Sequence, residues 1–241
     1  MNLFFKSIDE QRKFINSRIN KIYPDFKTGG DFFREYIEDN ISNKVVLDAG
    51  CGDSGIVAEF KSKTKLIIGV DLNNILLMNN NIVDKKILSD LENISLENSS
   101  IDVIICEFVI EHLKHPLLVF KEFNRVLKKN GVLIFITPNI LNPIMSISKI
   151  LPLSVHKTLR KKILNKREDT HQTYYYTNKY SKLLEIGFKV GFSKCDIVRA
   201  GNPEYFGFCK ILVYPSIFFE KIIDNSLFDF LKMYLVGLYR K

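Results

Sequence analysis

Apolar residues in this chain occur alternately as short continuous runs and at helical spacing, which predicts an α/β fold. Most runs of strand character are followed by a helical segment, so we expect a mostly parallel, doubly wound sheet with helices on both faces. The predicted strands span 45–49, 65–70, 86–88, 101–106, 132–137, 193–199 and 235–239, and the predicted helices of the core begin at Ile56, Asn74 and Pro116.

Three helices outside this core have start signals in the sequence. Ser7 and Glu10 form a capping box for a first helix, and Asp31 is placed to cap a second. Thr177 is predicted to cap a later helix that stops at Gly187.

The segment from Val45 to Gly55 carries the strongest functional signal. Its buried strand contains Asp48 and is followed by the closely spaced glycines Gly50, Gly52 and Gly55 at a strand-to-helix turn. Glycines there let the backbone bend sharply and let a ligand contact the main chain, next to the free N–H groups of a helix start. The pattern therefore predicts a nucleotide-cofactor site.

The glycine spacing also matches the fingerprint of dinucleotide-binding proteins, so the glycines alone leave the cofactor open. Asp48 favours a different ligand, because a fixed carboxylate beside the first glycine repels a pyrophosphate. An acid there suits S-adenosylmethionine, which carries an ammonium and a sulfonium and no phosphate. The structural alternative is an Asp that only makes local hydrogen bonds.

Two further acids follow strand ends at the same predicted edge of the sheet. Asp71 can accept hydrogen bonds from both hydroxyls of a ribose, and its alternative role is to cap the next helix. Leu72 beside it can pack on an adenine face. Asp90, followed by Leu91, can accept from an exocyclic amino group, and the alternative is an ordinary turn Asp.

Taken in order, these segments resemble the motifs of class I S-adenosylmethionine-dependent methyltransferases, most closely the type 11 subgroup that includes quinone-biosynthesis enzymes. One departure is that Ser54 takes the place of the usual third glycine and Gly55 follows it. The resemblance covers about residues 44–139 and rests on Val46-Leu47-Asp48-x-Gly50-Cys51-Gly52, Gly69-Val70-Asp71-Leu72, Ser89-Asp90-Leu91, 102–106, 109–113 and 125–131.

The resemblance implies a seven-stranded Rossmann-like sheet whose last strand is antiparallel and inserted beside the sixth. It also implies that S-adenosyl-L-methionine is the cofactor, with Asp48 holding its ammonium and Asp71 its ribose. The other expected contacts are Gly50, Gly52, Gly55 and Glu107 at the amino-acid part and Leu72, Asp90 and Leu91 at the adenine.

This resemblance also suggests a domain organisation. We expect residues 1–43 to form a helical cap and residues 44–241 a methyltransferase domain. Within that domain, the cofactor core spans 44–139 and a substrate or lid insertion spans about 140–176, after the fifth strand.

Charge and composition bear on the acceptor. The formal net charge is +8, and residues 149–167 hold seven Lys or Arg and no acid, directly after a segment rich in Ile, Leu and Met. Apolar surface beside basic residues suits anionic lipid, so we expect a small or lipid-linked acceptor, quinone-like or saccharide, with peripheral membrane contact through 140–167. An amphipathic lid over any small substrate is the equal alternative.

Other function classes remain open. RNA methylation ranks lower because no RNA-binding module accompanies the core, and a non-catalytic cofactor-binding assembly partner is a further alternative. The scattered cysteines have no metal-ligand spacing, so we expect reduced thiols and no metal. The sequence shows no signal pattern or membrane-spanning run, which predicts a cytoplasmic protein, at most peripheral to the inner face of the membrane. It does not indicate the oligomeric state.

An oxygen or nitrogen acceptor needs a base to remove its proton. His112 is the first candidate because an imidazole titrates near neutral pH, and a structural role is its alternative. His171 is the second candidate, beside an aromatic cluster at 174–176 that can bind a ring or simply pack the insertion.

Overall fold

The computed structural model describes residues 5, 7–143, 145, 172–204 and 210–241. Short 3₁₀ helices span Ile56–Lys63, Ile110–His112 and Asp229–Leu231. The α-helices are α1 (Ile8–Ile22), α2 (Gly29–Ile41), α3 (Asn74–Asn79), α4 (Pro116–Val126), α5 (Tyr180–Lys189) and α6 (Lys210–Ile223). The strands are β1 (Val45–Ala49), β2 (Leu66–Asp71), β3 (Lys85–Leu88), β4 (Ile101–Glu107), β5 (Leu127–Pro138), β6 (Lys194–Ala200) and β7 (Tyr234–Arg240).

All seven strands belong to one sheet, in the order β3-β2-β1-β4-β5-β7-β6. β1 pairs in parallel with β2 and β4, β3 with β2, and β5 with β4. β7 runs antiparallel to β5, since the Lys241 N–H donates to Gly131 O at one end and the Asn139 N–H donates to Met233 O at the other. The expected seven-stranded sheet, with its last strand between the fifth and sixth, is confirmed.

The chain divides into two compact units. The first, residues 30–138, 173–198 and 235–241, contains nearly the whole sheet, and we call it the sheet unit. Its core includes buried aromatic side chains: the rings of Phe135 and Tyr239 meet edge to face with centroids 5.0 Å apart, and Phe120 packs against both. Aromatic pairs in this arrangement stabilise a core beyond the area that they bury.

The second unit comprises the described residues of 1–29, 139–172 and 199–234, and we call it the helical unit. In it α1 packs on α6 through Ile15, Ile19, Val213 and Ile217. The start of α1 is as expected, because Ser7 Oγ accepts the Glu10 N–H at 3.1 Å.

Two other cap predictions are wrong. Asp31 lies inside the first turn of α2, because that helix begins at Gly29. Thr177 precedes α5, whose N-cap is Lys179 without a side-chain hydrogen bond. In both places a polar residue lies near a helix start, but the surrounding backbone begins the helix elsewhere.

Gly187 does not end α5. A Cβ at Gly187 would lie 2.6 Å from Cys195 Sγ and 2.7 Å from the Tyr239 ring, so the glycine permits close packing of the helix on the sheet. The helix ends instead at Lys189, and Gly191 follows with φ +95°.

The segment after α4 also differs from expectation. The sequence predicts the helix that begins at Pro116 to continue through residue 128 and the fifth strand to begin at residue 132, but β5 begins at Leu127. Pairing of Leu127 with Ile101 and an ion pair between Lys128 and Asp102 at 2.9 Å place this segment in the sheet. The predicted helix from Ile56 is present in the 3₁₀ form. Across the described ranges, no helix is long and apolar enough to cross a membrane.

Gly237 in β7 leaves room for the Phe135 ring, because a Cβ at position 237 would lie 2.1 Å from Phe135 Cζ. We expect Gly237→Ala to lower the free energy of unfolding by about 1–3 kcal/mol through overpacking. Adding Phe135→Leu should cost less than the sum of the two single changes, because the smaller side chain relieves the clash. Urea unfolding of the four proteins measures this, and strict additivity would contradict it.

Candidate functional site

The candidate site lies where the strand order of the sheet reverses, between β1 and β4. Ligands of open α/β sheets bind at the carboxyl ends of the strands at such a switch point. Asp48 of β1 pairs in register with Gly69 of β2 and with Ile105 of β4. The sheet therefore brings together Asp48 and the acids that end its two neighbouring strands, Asp71 and Glu107.

The glycine loop, residues 50–55, has a backbone that other residues adopt with strain. Gly50 has φ +75° and Gly52 φ +51°. A Cβ at Gly50 would also lie 2.5 Å from Val109 Cγ2, so the loop after β4 packs directly on the glycine loop. Both glycines were expected from the sequence to line the cofactor, and the structure gives each a backbone reason to be glycine.

Asp71 fixes this loop. Its Oδ2 accepts the Gly52 N–H at 2.8 Å, and its Oδ1 accepts the Asn73 N–H at 2.7 Å. Asn73, rather than Asp71, is the cap of α3, because its side chain accepts the N–H groups of the next turn. Each carboxylate oxygen of Asp71 retains a lone pair, so the group can still accept a hydroxyl.

Gly55 lies against two carboxylates. A Cβ there would stand 3.6 Å from Glu107 Oε2 and 3.7 Å from Asp48 Oδ2. The Ile56 N–H, at the start of the 3₁₀ helix, donates to Glu107 Oε2 at 3.0 Å. The displaced third glycine of the motif therefore borders the acidic part of the site.

These carboxylates make the site strongly electronegative. Burial, together with the charges of Glu107 and Asp71, raises the pKa of Asp48 to about 7. Burial also raises the pKa of Glu107, against the opposing effects of the Ile56 N–H and the Arg34 guanidinium. A cationic ligand would lower both pKa values and relieve the repulsion, so the site has the electrostatics expected for one.

The side chain of Asn80 holds the glycine loop by hydrogen bonds, a role that the sequence reasoning missed. Its Nδ2 donates to Cys51 O at 3.3 Å and to Gly52 O at 3.2 Å, while its Oδ1 accepts the N–H groups of Ile82 and Val83. The side chain is 1% exposed. Asn80 is the middle of three consecutive asparagines, and nothing in the sequence distinguishes it from its two neighbours.

The expected adenine contacts lie beyond β2 and β3. Leu88 of β3 pairs with Asp71, so Asp90 lies two residues beyond the same edge of the sheet. Asp90 is exposed, and its Oδ1 accepts the Glu92 N–H at 2.9 Å. Leu72 is 63% exposed, whereas the side chain of Leu91 is buried in the core.

The candidate base His112 is half-buried in the 3₁₀ helix 110–112. The carbonyl of the preceding Glu111 accepts the N–H groups of Tyr174 and Tyr175, at 2.8 and 3.1 Å. The rings of Tyr174 and Tyr176 stack with centroids 5.4 Å apart. The structure thus brings the backbone of the aromatic cluster to the residue before His112, while His171 lies outside the described residues.

A buried polar chain supports this arrangement. Asn178 Nδ2 donates to Thr137 Oγ1 at 2.7 Å, and Thr137 Oγ1 donates to Glu111 Oε2 at 3.0 Å. All three side chains are at most 5% exposed. Sequence reasoning missed Thr137 and Asn178, because the first lies near the end of β5 and the second precedes α5, about 40 residues later in the chain. In the described part of the chain, no group of His, Cys, Asp and Glu could hold a metal ion.

Comparisons with known proteins bear on the fold and on the class of protein that this chain resembles. Residues 47–135 match the family described as methyltransferase domain. The chain is 31% identical over 121 residues to a ubiquinone biosynthesis O-methyltransferase from Histophilus somni, covering 44% of this chain and 50% of that protein. It is 29% identical over 96 residues to a malonyl-acyl-carrier-protein O-methyltransferase from Yersinia pestis, covering 39% and 36%. The chain spans half or less of the length of these relatives.

A solved structure of a S-adenosylmethionine-dependent methyltransferase from Archaeoglobus fulgidus shares the fold, with a TM-score of 0.56 and 15% identity over 95% of this chain and 94% of that chain. The strand order and the acidic glycine site define a class I methyltransferase fold. Over residues 47–135 the chain is similar to S-adenosylmethionine-dependent methyltransferases, a class whose cofactor is S-adenosylmethionine.

The raised pKa of Asp48 predicts pH-dependent cofactor binding. An ionised Asp48 attracts the cation, so its contribution to affinity should grow about eightfold from about pH 6 to about pH 7.5, the ratio of ionised fractions for a pKa near 7. Isothermal titration calorimetry of wild type and Asp48→Asn with S-adenosylmethionine measures this as a widening difference in Kd. NAD serves as the control ligand, for which we expect no binding.

Ionisation of Asp48 should favour cofactor binding but lower the stability of the protein without ligand. Because the folded-state pKa is raised above the unfolded value, the folded protein binds the extra proton and its stability falls as pH rises from about 4 through about 7. Asp48→Asn should therefore be more stable than wild type above this range, measured by thermal unfolding. For the binding prediction, a ratio of the Kd of Asp48→Asn to that of wild type that stays constant across the pH range would contradict the raised pKa of Asp48.

Removing the Asn80 side chain should loosen the glycine loop. We expect Asn80→Ala to lower the free energy of unfolding by about 1–3 kcal/mol, because buried backbone groups lose their partners. S-adenosylmethionine binding should weaken by about tenfold, equivalent to about 1.4 kcal/mol. Asn79→Ala, at the exposed last residue of α3, is the matched control and should change neither quantity. Equal effects of the two variants on Kd would overturn the role of Asn80.

Proposed function

We propose that the protein transfers a methyl group from S-adenosylmethionine to a small or lipid-linked acceptor, at an oxygen, nitrogen or carbon atom. The observation that supports this most directly is the group formed by Asp48, Asp71 and Glu107 around the glycine loop. A buried acid with a pKa near 7 is suited to a cationic ligand and unsuited to a pyrophosphate.

The residues present fit this cofactor. When bound, S-adenosylmethionine supplies a methyl group activated by a positively charged sulfur. Asp48 and Glu107 would hold its charged amino-acid part beside Gly55, and Asp71 would accept from its ribose. These residues orient the ligand, and the loops that meet at Val109 and Gly50 limit access of water from that side.

His112 is the proposed base. An oxygen or nitrogen acceptor would form its new bond to the methyl carbon with its own electron pair as the carbon–sulfur bond breaks and that pair stays on the sulfur, which leaves as a neutral thioether. The acceptor then loses a proton, which His112 would take. The contacts of Glu111 with Thr137 and with the backbone of Tyr174 position the segment that carries His112. The stacked pair of Tyr174 and Tyr176 lies beside it and offers flat apolar surface for a ring.

The names of the two curated relatives favour oxygen as the acceptor atom, since both are O-methyltransferases. The first also favours a quinone-like ring. A lipid-linked acceptor, with membrane contact through 140–167, rests on the apolar and basic sequence of that segment, which lies almost entirely outside the described residues.

Methyl-labelled S-adenosylmethionine tests the proposal when it is offered with three acceptor pools: a solvent extract of lipids, polar metabolites and total RNA. We expect protein-dependent label in lipids or metabolites. His112→Gln should lower the rate by about 100-fold or more while leaving cofactor binding intact. His115→Gln is the matched control, because that exposed imidazole contacts Glu92 at the surface.

Other outcomes would favour the alternatives. Label in RNA would replace the proposed acceptor by nucleic acid. Cofactor binding without transfer to any pool would favour a cofactor-binding assembly partner, and a His112→Gln protein as active as His115→Gln would remove His112 as the base.

A further inference from the structure

Helix α6 exposes an apolar face to solvent. Ile211, Tyr214, Phe218 and Ile222 recur at helical spacing and are 61%, 50%, 65% and 49% exposed. We call these four residues the α6 face. Large side chains on one side of a soluble helix are normally covered, so this surface indicates an interaction.

The α6 face is not the side by which the helix packs. Val213 and Ile217 are buried against α1, on the opposite side of α6. The helix is therefore apolar on two sides, and only one of them contributes to the core of the helical unit. The exposed side needs another explanation.

Further exposed apolar residues follow the helix. Leu227, Phe228 and Phe230 are 74%, 46% and 41% exposed, in the short connection between α6 and β7. Bulky aromatic side chains next to an amphipathic helix are typical of surfaces that enter the boundary between lipid headgroups and acyl chains.

The charges around this surface are those expected for an anionic partner. Lys221 is the one exposed charged residue of α6, and the acid of the helix, Glu220, is buried. After the helix, Asp224 is paired with Lys232, and Asp229 with Arg199.

Helix α1 adds positive charge to the same unit. Lys13 and Lys21 are exposed, and neither has an ion-pair partner in the ranges that the structure describes. Lysines of the same unit add to its attraction to a negatively charged surface.

We propose that the α6 face, with the apolar residues at 227–230, binds a lipid surface that contains anionic headgroups. The helix has 14 residues and is therefore about 21 Å long, shorter than the roughly 30 Å of a bilayer core, so it would lie in the interface. Ile211, Phe218 and Ile222 enter the acyl boundary, and Lys221 contacts the headgroups. This surface is independent of the acceptor proposed above and of residues 140–167.

Vesicle co-sedimentation of the full chain tests the proposal. We expect binding to phosphatidylcholine vesicles that contain about one quarter phosphatidylglycerol, and weaker binding to pure phosphatidylcholine. Phe218→Ser with Ile222→Ser should lower the partition coefficient by about tenfold or more, because two apolar side chains no longer enter the lipid. Lys221→Glu should lower binding to the anionic vesicles only.

Helix α5 offers matched controls in the sheet unit. Phe188→Ser removes an apolar side chain that is 56% exposed, and Lys189→Glu reverses an exposed charge in a last helical turn. Both controls should bind vesicles as wild type does. Unchanged thermal unfolding and S-adenosylmethionine binding would show that the α6 variants fold.

Three results would overturn the proposal. The first is wild-type binding by the folded double variant, which would assign the lipid contact to another segment. The second is equal losses in the α5 and α6 variants. The third is absence of vesicle binding, together with a dimer in light scattering that the double variant abolishes, which would assign the α6 face to a second copy of the chain.

Discussion

A carboxyl group held almost completely out of water is the feature on which the candidate site depends. Asp48 is 5% exposed, and its ionisation is opposed both by burial and by the nearby charges of Glu107 and Asp71. Such a group destabilises the empty folded protein when it is ionised and is stabilised by a cation. The acid that makes the site selective therefore also makes it less stable without ligand, which is the usual relation between binding sites and stability.

The backbone around Asp48 is arranged to keep that charge in one place. Gly50 and Gly52 adopt a conformation that favours glycine, and the loop that they form is held by hydrogen bonds from two directions, at Asp71 and at Asn80. Val109 closes the third side. A site supported in this way needs little reorganisation when its ligand binds. Binding energy is therefore not lost in ordering the loop and can hold the ligand in one orientation.

The sequence predicted the parallel core well, because a strand buried on both faces needs a continuous apolar run and that run is visible in one dimension. It predicted helix boundaries less well. Gly187 shows why, because a glycine can either end a helix or allow close packing. The sequence indicated a helix end, whereas in the structure the absence of a side chain lets α5 lie close to Cys195 and Tyr239. At Leu127, pairing with Ile101 prevailed over a helical pattern, since a neighbouring strand is invisible to local propensity.

Some parts of the candidate site could likewise be predicted from the sequence, and others could not. The sequence by itself determined the glycine turn, the acids Asp48 and Asp71 and the order of the motifs, because these follow strand ends whose position along the chain is local information. Only the tertiary structure decided that Asn80 holds the glycine loop, that Glu111, Thr137 and Asn178 form one buried chain, and that α6 presents a second apolar side to solvent. These features depend on which distant segments of the chain meet. Hydrogen bonds and burial are set by neighbours in space, and the order of residues along the chain does not show which residues those are.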